Sequence, residues 1–265
     1  MLTSAVVART MTSTGKARRM FERNVVAYRS GWLVFASGFF EPVFYLFSLG
    51  IGLGALVGTI DVGGRAVPYP AFVAPAMLAA AAMNGALTET TFNMFGRMKY
   101  AKLYDAILAT PMRPIDVALG EIGWALARGG CYSGAFLALM AGLGYVGSWY
   151  GLLALPATLL IGFAFGAAGM ALATYMRSWQ DFDYLGFVIM ALFMLSATFF
   201  PIEVYPSWIQ PVVRWTPLTQ AVELVRELTT GSLSGETAVH LAYLLVLAVL
   251  GSAGAALRLD RLLRT

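Results

Sequence analysis

The chain offers few residues for catalysis: one histidine, His240, and one cysteine, Cys131. With no second His or Cys, neither a Ser/His/Asp nor a Cys/His constellation has a credible set of members, and His240 lacks a Cys or His companion for a metal site. Cys131 lies inside an apolar run and reads as packing, and His240 reads as a residue at the end of a span. No GxxxxGK[ST] phosphate loop occurs, so nucleotide chemistry has to belong to another polypeptide. Gly50, Gly52 and Gly54 make a GxGxG string. No strand or βαβ pattern surrounds it, which removes the dinucleotide reading. The expectation is a non-catalytic chain with no metal or cofactor of its own.

What remains are ionisable groups inside apolar runs, which are costly in hydrocarbon and are functional candidates for that reason. Glu41 falls about ten residues into the first run, and Arg128 lies at a similar depth in the third. Uncompensated, such a charge costs on the order of 3 kcal/mol. Opposite charges at like depth predict a Glu41–Arg128 pair, with Asn84 as a further polar partner, serving as a structural clasp or as part of a substrate path. Glu89, Glu121 and the Thr88 to Asn93 run lie nearer the inner face and are expected to shape a cytoplasmic mouth. There is no ladder of intramembrane acids, which argues against proton coupling.

The elements that must position these groups follow from composition. The chain has 265 residues, 59% hydrophobic and 12% charged, far below the quarter that is charged in soluble domains. With a mean hydropathy of +0.72, it reads as an all-α polytopic membrane protein. Six apolar runs are long enough to cross about 30 Å of hydrocarbon: Gly31–Gly58, about Pro70–Phe95, Val117–Val146, Tyr150–Met176, Phe182–Phe200 and Thr237–Leu257. They form one transmembrane domain over residues 31–257, after a cytoplasmic N-terminal region (1–30) and before a short tail (258–265). Placing both termini inside puts fourteen of the 18 basic residues on the cytoplasmic side, as the positive-inside rule requires. The same placement explains a pI near 9.3 without invoking nucleic acid. Ala17, Met20, Phe21, Val25 and Tyr28 recur at helical spacing opposite Arg18, Arg19, Glu22, Arg23 and Arg29, the pattern of an interfacial amphipathic helix touching membrane lipid. Gly50, Gly54 and Gly58, and Gly162, Gly166 and Gly169, mark close helix approach.

Two polar segments interrupt the apolar runs. Residues 97–116, RMKYAKLYDAILATPMRPID, form a basic loop whose centre, Tyr100 to Thr110, keeps helical spacing. A short amphipathic helix there is a knob that a soluble partner can grip. Residues 200–231 are rich in proline, with Trp208, Ile209, Val212 and Val213 on one face and Leu218, Ala221, Val222, Val225 and Leu228 on another. Two short re-entrant helices ending at Gly231 fit this pattern. The candidate lining of a substrate path is aromatic and methionine-rich: Phe39, Phe40, Phe44 and Tyr45 on the first span, and Phe193, Met194 and Phe199 on the fifth.

The stretches YAKLYDAILATPMRPIDVALGE, ERNVVAYRSGWLVFASGFFEPVFYL and ATFFPIEVYPSWIQPVVRWTPLTQAVELVREL closely resemble the type-2 ABC exporter permeases, in the branch of nodulation-type lipo-oligosaccharide and daunorubicin-type drug exporters. The resemblance covers nearly the whole chain. It implies an interfacial N-terminal helix, six spans, a cytoplasmic coupling helix, re-entrant extracellular helices before the sixth span, and location in the bacterial cytoplasmic (inner) membrane. It further implies a permease dimer, with the homodimer expected, driven by two copies of a cytoplasmic ATPase subunit that carries ATP and Mg. Carried over, the coupling residues are Tyr100, Leu103, Tyr104, Asp105, Ile107 and Leu108, joined by Phe21 and Arg23 of the N-terminal helix. The extracellular gate comprises Pro201, Trp208, Trp215 and Pro217. The implied function is export of an amphipathic substrate, a lipid-linked saccharide, glycolipid or hydrophobic drug. The alternative is an ion-gradient-driven secondary transporter, which should show inverted repeats with paired discontinuous spans; only one re-entrant region and one buried acid are visible.

Overall fold

The computed structural model describes residues 15–16, 18–27, 32–62 and 65–262. The start of the N-terminal region, Tyr28, the first residue of the first span (Gly31) and the last three residues of the tail lie outside the described residues. Helix α1 covers 18–27. Helix α2 (Trp32–Tyr45) runs through a π-helical stretch, Leu46–Leu53, into the short α3 (Gly54–Val57). Gly58 then turns the chain at φ 72°. An antiparallel hairpin follows, β1 (Thr59–Val62) on β2 (Arg65–Pro68), with Ile60 opposite Val67. This hairpin corrects the all-helical expectation locally: four-residue strands held by one turn leave too little periodicity to be seen in sequence.

Helix α4 (Tyr69–Thr88) is the central pillar. Pro68 and Pro70 stand at its start, where a missing N–H costs nothing, and its alanine-rich body is buried on nearly every face. Two π-helical turns, Glu89–Asn93 and Gly96–Tyr100, continue it towards the polar loop. That loop holds α5 (Leu103–Leu108). Helix α6 (Pro114–Gly142) begins with Pro114 in its first turn, and Asp116 accepts a hydrogen bond from the backbone of Arg113 at 3.0 Å. A 3-10 turn (Trp149–Leu153) leads into α7 (Ala154–Ala173), and α8 is Asp181–Met194. A 3-10 turn at Ile202–Val204 precedes α9 (Gln210–Arg214), α10 (Pro217–Thr230) and α11 (Gly235–Leu262).

Helices α4, α6, α7, α10 and α11 pack on one another around one main core. Small residues set the spacing: a Cβ at Gly169 would stand 2.7 Å from Leu87 of α4, and one at Gly251 would stand 2.6 Å from the backbone nitrogen of Ala168. The fourth-span glycines therefore do face a neighbouring helix, as their spacing predicts.

Among the described residues, four helical stretches are long and apolar enough to cross a membrane: Gly38–Val57, Tyr69–Tyr100, Trp149–Ala173 and Gly235–Arg258. The third and fifth expected spans fall on α6 and α8. Helix α6 has the length, at 29 residues, but Arg128 and its glycines dilute its apolar character. Helix α8 has 14 residues, about 21 Å at 1.5 Å per residue, and its chain is helical only to Met194 rather than to Phe200. Leu195 ends the helix and Ala197 sits at φ 52°, a backbone region that ends regular helix. The buried Ser196 and Thr198 pair their hydroxyls at 2.6 Å. The segment 200–231 does contain two helices, and Gly231 stops α10 at φ 78° as expected. Helix α10 buries Leu218, Ala221, Val222, Val225 and Leu228.

Candidate functional site

Two carboxylates that sequence places near one face, Glu89 and Glu121, are 1% and 2% exposed, so each requires a partner. Arg97, on the second π-helical turn, reaches both: its guanidinium stands 2.6 Å from Glu89 and also contacts Glu121. The π-turns each fit an additional residue into the helix and so re-aim the side chains beyond them; here they bring Glu89 and Arg97 onto one side. Asn93 donates to Glu89 at 2.7 Å, and Arg128 reaches the same carboxylate at 3.0 Å.

Glu121, near the start of α6, collects the remaining partners. Arg23 of α1 lies 3.2 Å from one oxygen, Asn24 donates to the other at 3.1 Å, and the Tyr104 hydroxyl of α5 donates at 3.2 Å. Burial, and then the neighbouring Glu121 charge, push the Tyr104 phenol above its ordinary range, so it remains a donor. Apolar contacts surround the polar centre: Met20 and Tyr104 are buried with Val117 and Ile122, and Phe21 meets Trp124 edge-on at 5.7 Å. Lys16 adds a bond to the carbonyl of Pro111 at 2.5 Å. Helices α1 and α5 and the ends of α4 and α6 are thus tied at one buried knot.

This geometry revises four expectations. The intramembrane pair is different: a carboxylate partner of Arg128 is Glu89, which stands at the end of α4, the helix that packs on α6. Glu41 instead lines a cavity of about 300 Å³ with Arg128, Asn84 and Tyr132. The coupling helix is shorter than Tyr100–Thr110. Lys102 at φ 46° breaks it from the preceding turn, so α5 is Leu103–Leu108 and Tyr100 belongs to the π-helical turn. Tyr104, 1% exposed, points inward to Glu121 and cannot itself meet a soluble partner. Cys131, expected as packing, is exposed on α6.

Phe21 and Arg23 join Tyr104 at the knot, while Leu103 and Ile107 are half-buried. Asp105 and Leu108 lie on α5, but their side chains are outside the described residues. Tyr100 is 62% exposed and stacks on Trp179 at 5.6 Å with planes 16° apart. Trp179 in turn meets Phe95 at 5.2 Å. Trp179, in the α7–α8 connection, was not singled out from sequence; an aromatic flanked by Arg177 and Asp181 reads there as an ordinary interface anchor.

The expected path residues do converge. Phe40 and Phe44 stack at 5.9 Å, Phe39 meets Phe40, Tyr45 meets Phe193 at 5.7 Å, and Phe193 meets Phe199 at 5.3 Å. Phe40, Phe44, Met194 and Tyr45 are exposed, whereas Phe199 is buried. Glu41 lies where this apolar groove meets the polar cavity that holds Arg128. Beside α10, Pro201 and Trp215 line a cavity of about 260 Å³ with Arg226. Pro217 starts α10, beside the Thr216 cap, and Trp208 stands apart at the surface, 77% exposed. Arg226, missed in sequence, donates to the carbonyl of Ala197 at 3.0 Å, pairs with Glu223 at 2.5 Å and covers the Phe72 ring at 3.9 Å.

Comparison with known proteins shows the family. Residues 16–229 match the family model described as ABC-2 type transporter. Nodulation protein J of Rhizobium leguminosarum bv. trifolii is 37% identical over 215 residues, covering 80% of each chain. Nodulation protein J of Rhizobium meliloti (strain 1021) is 33% identical over 233 residues, covering 87% of each, and that of Sinorhizobium fredii is 32% identical over 234 residues. With apolar helices of membrane-crossing length and a family match that spans both the Glu121 knot and the aromatic groove, the chain belongs to the ABC-2 type transporter family, as a membrane-embedded transport permease.

Proposed function

We propose that this permease exports an amphipathic molecule, a lipid-linked saccharide, glycolipid or hydrophobic drug, from the cytoplasm or inner leaflet. ATP and Mg are handled by a separate cytoplasmic ATPase subunit in two copies, and two permease chains form the conduit. In this reading the chain crosses the bacterial cytoplasmic membrane six times, α6 and α8 included, with both termini inside. The observation that carries the reading is the Glu121 knot. A push on the loop around α5 is delivered through Tyr104 and Arg97 to the ends of α4 and α6, so these helices move as rigid bodies. The outward elements of the loop, Tyr100 stacked on Trp179, are then the surface an ATPase grips. The apolar groove of Phe40, Phe44 and Tyr45 beside the polar cavity at Glu41 and Arg128 suits a substrate with a lipid part and a polar head.

The test is co-expression with the cognate ATPase, followed by co-purification and ATPase assay in membranes. Tyr100→Glu combined with Trp179→Ala should leave the permease inserted but lose permease-dependent ATP hydrolysis and export. Flux driven by an ion gradient without any ATPase would overturn the reading.

A further inference from the structure

The geometry points to a divalent-metal site, one zinc-like cation per chain, held by Glu227 of α10 with Glu236 and His240 of α11, at the end of the molecule away from the Glu121 knot. A ring nitrogen of His240 and one carboxylate oxygen from each glutamate lie within 4.8 Å of one another. Ligands of a tetrahedral zinc stand roughly 3.3 Å apart. Glu236 is exposed, in the first turn of α11, so its side chain is free to close the difference.

The surroundings arrange these groups as donors. The side-chain amide nitrogen of Gln220 donates to the carbonyl of Arg214 at 2.7 Å, which fixes the amide orientation. Its oxygen therefore faces Nδ1 of His240, 2.6 Å away, and Nδ1 must carry the proton. In a neutral imidazole this leaves the lone pair on Nε2, the nitrogen then available to a metal. His240 is 7% exposed and, among the described residues, this is its one hydrogen bond. Glu227 is oriented in the same manner, accepting from Thr237 at 2.5 Å and Ser234 at 3.2 Å.

Electrostatics favours a cation. The adjoining cavity is lined by the carboxylates of Glu203, Glu223, Glu227 and Glu236 against the guanidiniums of Arg214 and Arg226. Glu223 is already engaged by Arg226, which leaves an excess of negative charge around the Glu/Glu/His set. An imidazole with two carboxylates suits zinc better than magnesium, which prefers six oxygen ligands. Sequence reasoning sought His or Cys companions for His240 and found none; the companions are carboxylates, one of them on the preceding helix.

The experiment uses the full-length permease in detergent, with affinity tags removed, and titrates Zn²⁺ while thermal unfolding and bound metal are measured. Saturable binding of one Zn²⁺ per chain with a raised Tm is expected, undiminished by excess Mg²⁺. Gln220→Ala should weaken binding about 10–100-fold, the effect of removing an outer hydrogen-bond partner. Glu236→Gln, a substitution at an exposed position, and His240→Asn should each weaken it further. Wild-type Zn²⁺ affinity in both ligand variants, or no saturable binding by the unaltered chain, overturns the proposal. Because the readout is metal binding rather than transport, the result is independent of the exporter reading.

Discussion

Glu121 is met by Arg23 and Asn24 from α1, by Arg97 beyond α4 and by Tyr104 from α5. A carboxylate this buried is stable only while those partners remain. Losing one member of a buried ion pair strands the other and typically costs about 3–5 kcal/mol. Glu121→Gln, which keeps the shape but not the charge, is therefore expected to lower the thermal unfolding temperature of the purified permease markedly; an unchanged transition would show that the knot contributes nothing. Tyr104→Phe removes one hydrogen bond and retains the ring. Its expected cost is about 1 kcal/mol, read by the same melt, with insertion and assembly preserved. The exposed Arg18–Glu22 pair at 2.9 Å makes the contrast, since such surface pairs contribute little.

At the scale of elements, close helix approach is controlled by single glycines. Gly251 places α11 against the backbone of α7, where a Cβ would stand 2.6 Å from Ala168 N. Backbone cannot rotate aside, so Gly251→Val should push the helices apart and destabilise by about 1–3 kcal/mol. Gly254→Ala, whose added methyl would meet the Ala171 Cβ at 3.4 Å, should be tolerated. A melting series over both variants checks the difference. The π-turns at Glu89–Asn93 and Gly96–Tyr100 act on direction instead. They bring Arg97 back onto the side of Glu89, so that one guanidinium reaches both Glu89 and Glu121.

For the whole molecule, the two ends of α6 do different things. One end is knotted to the loop around α5, and just beyond the other the Gly147 N–H donates to the carbonyl of Thr229 at the end of α10, 2.9 Å away. In a Cys131→Ser background, Tyr100→Cys should react with membrane-impermeant thiol reagent only from the cytoplasmic side, and Ser232→Cys only from outside; the reverse pattern would invert the orientation. The sequence by itself determined the class of the protein, the apolar runs, the basic polar loop and the Gly231 stop. These depend on composition and local periodicity, which the bilayer and the backbone enforce residue by residue. Only the tertiary structure decided the partner of Arg128, the inward turn of Tyr104, the Trp179 stack and the meeting of Glu227 with His240. Each of those depends on how two helices are rotated and spaced against each other, and a π-turn or a glycine contact changes that rotation without altering the hydrophobic pattern.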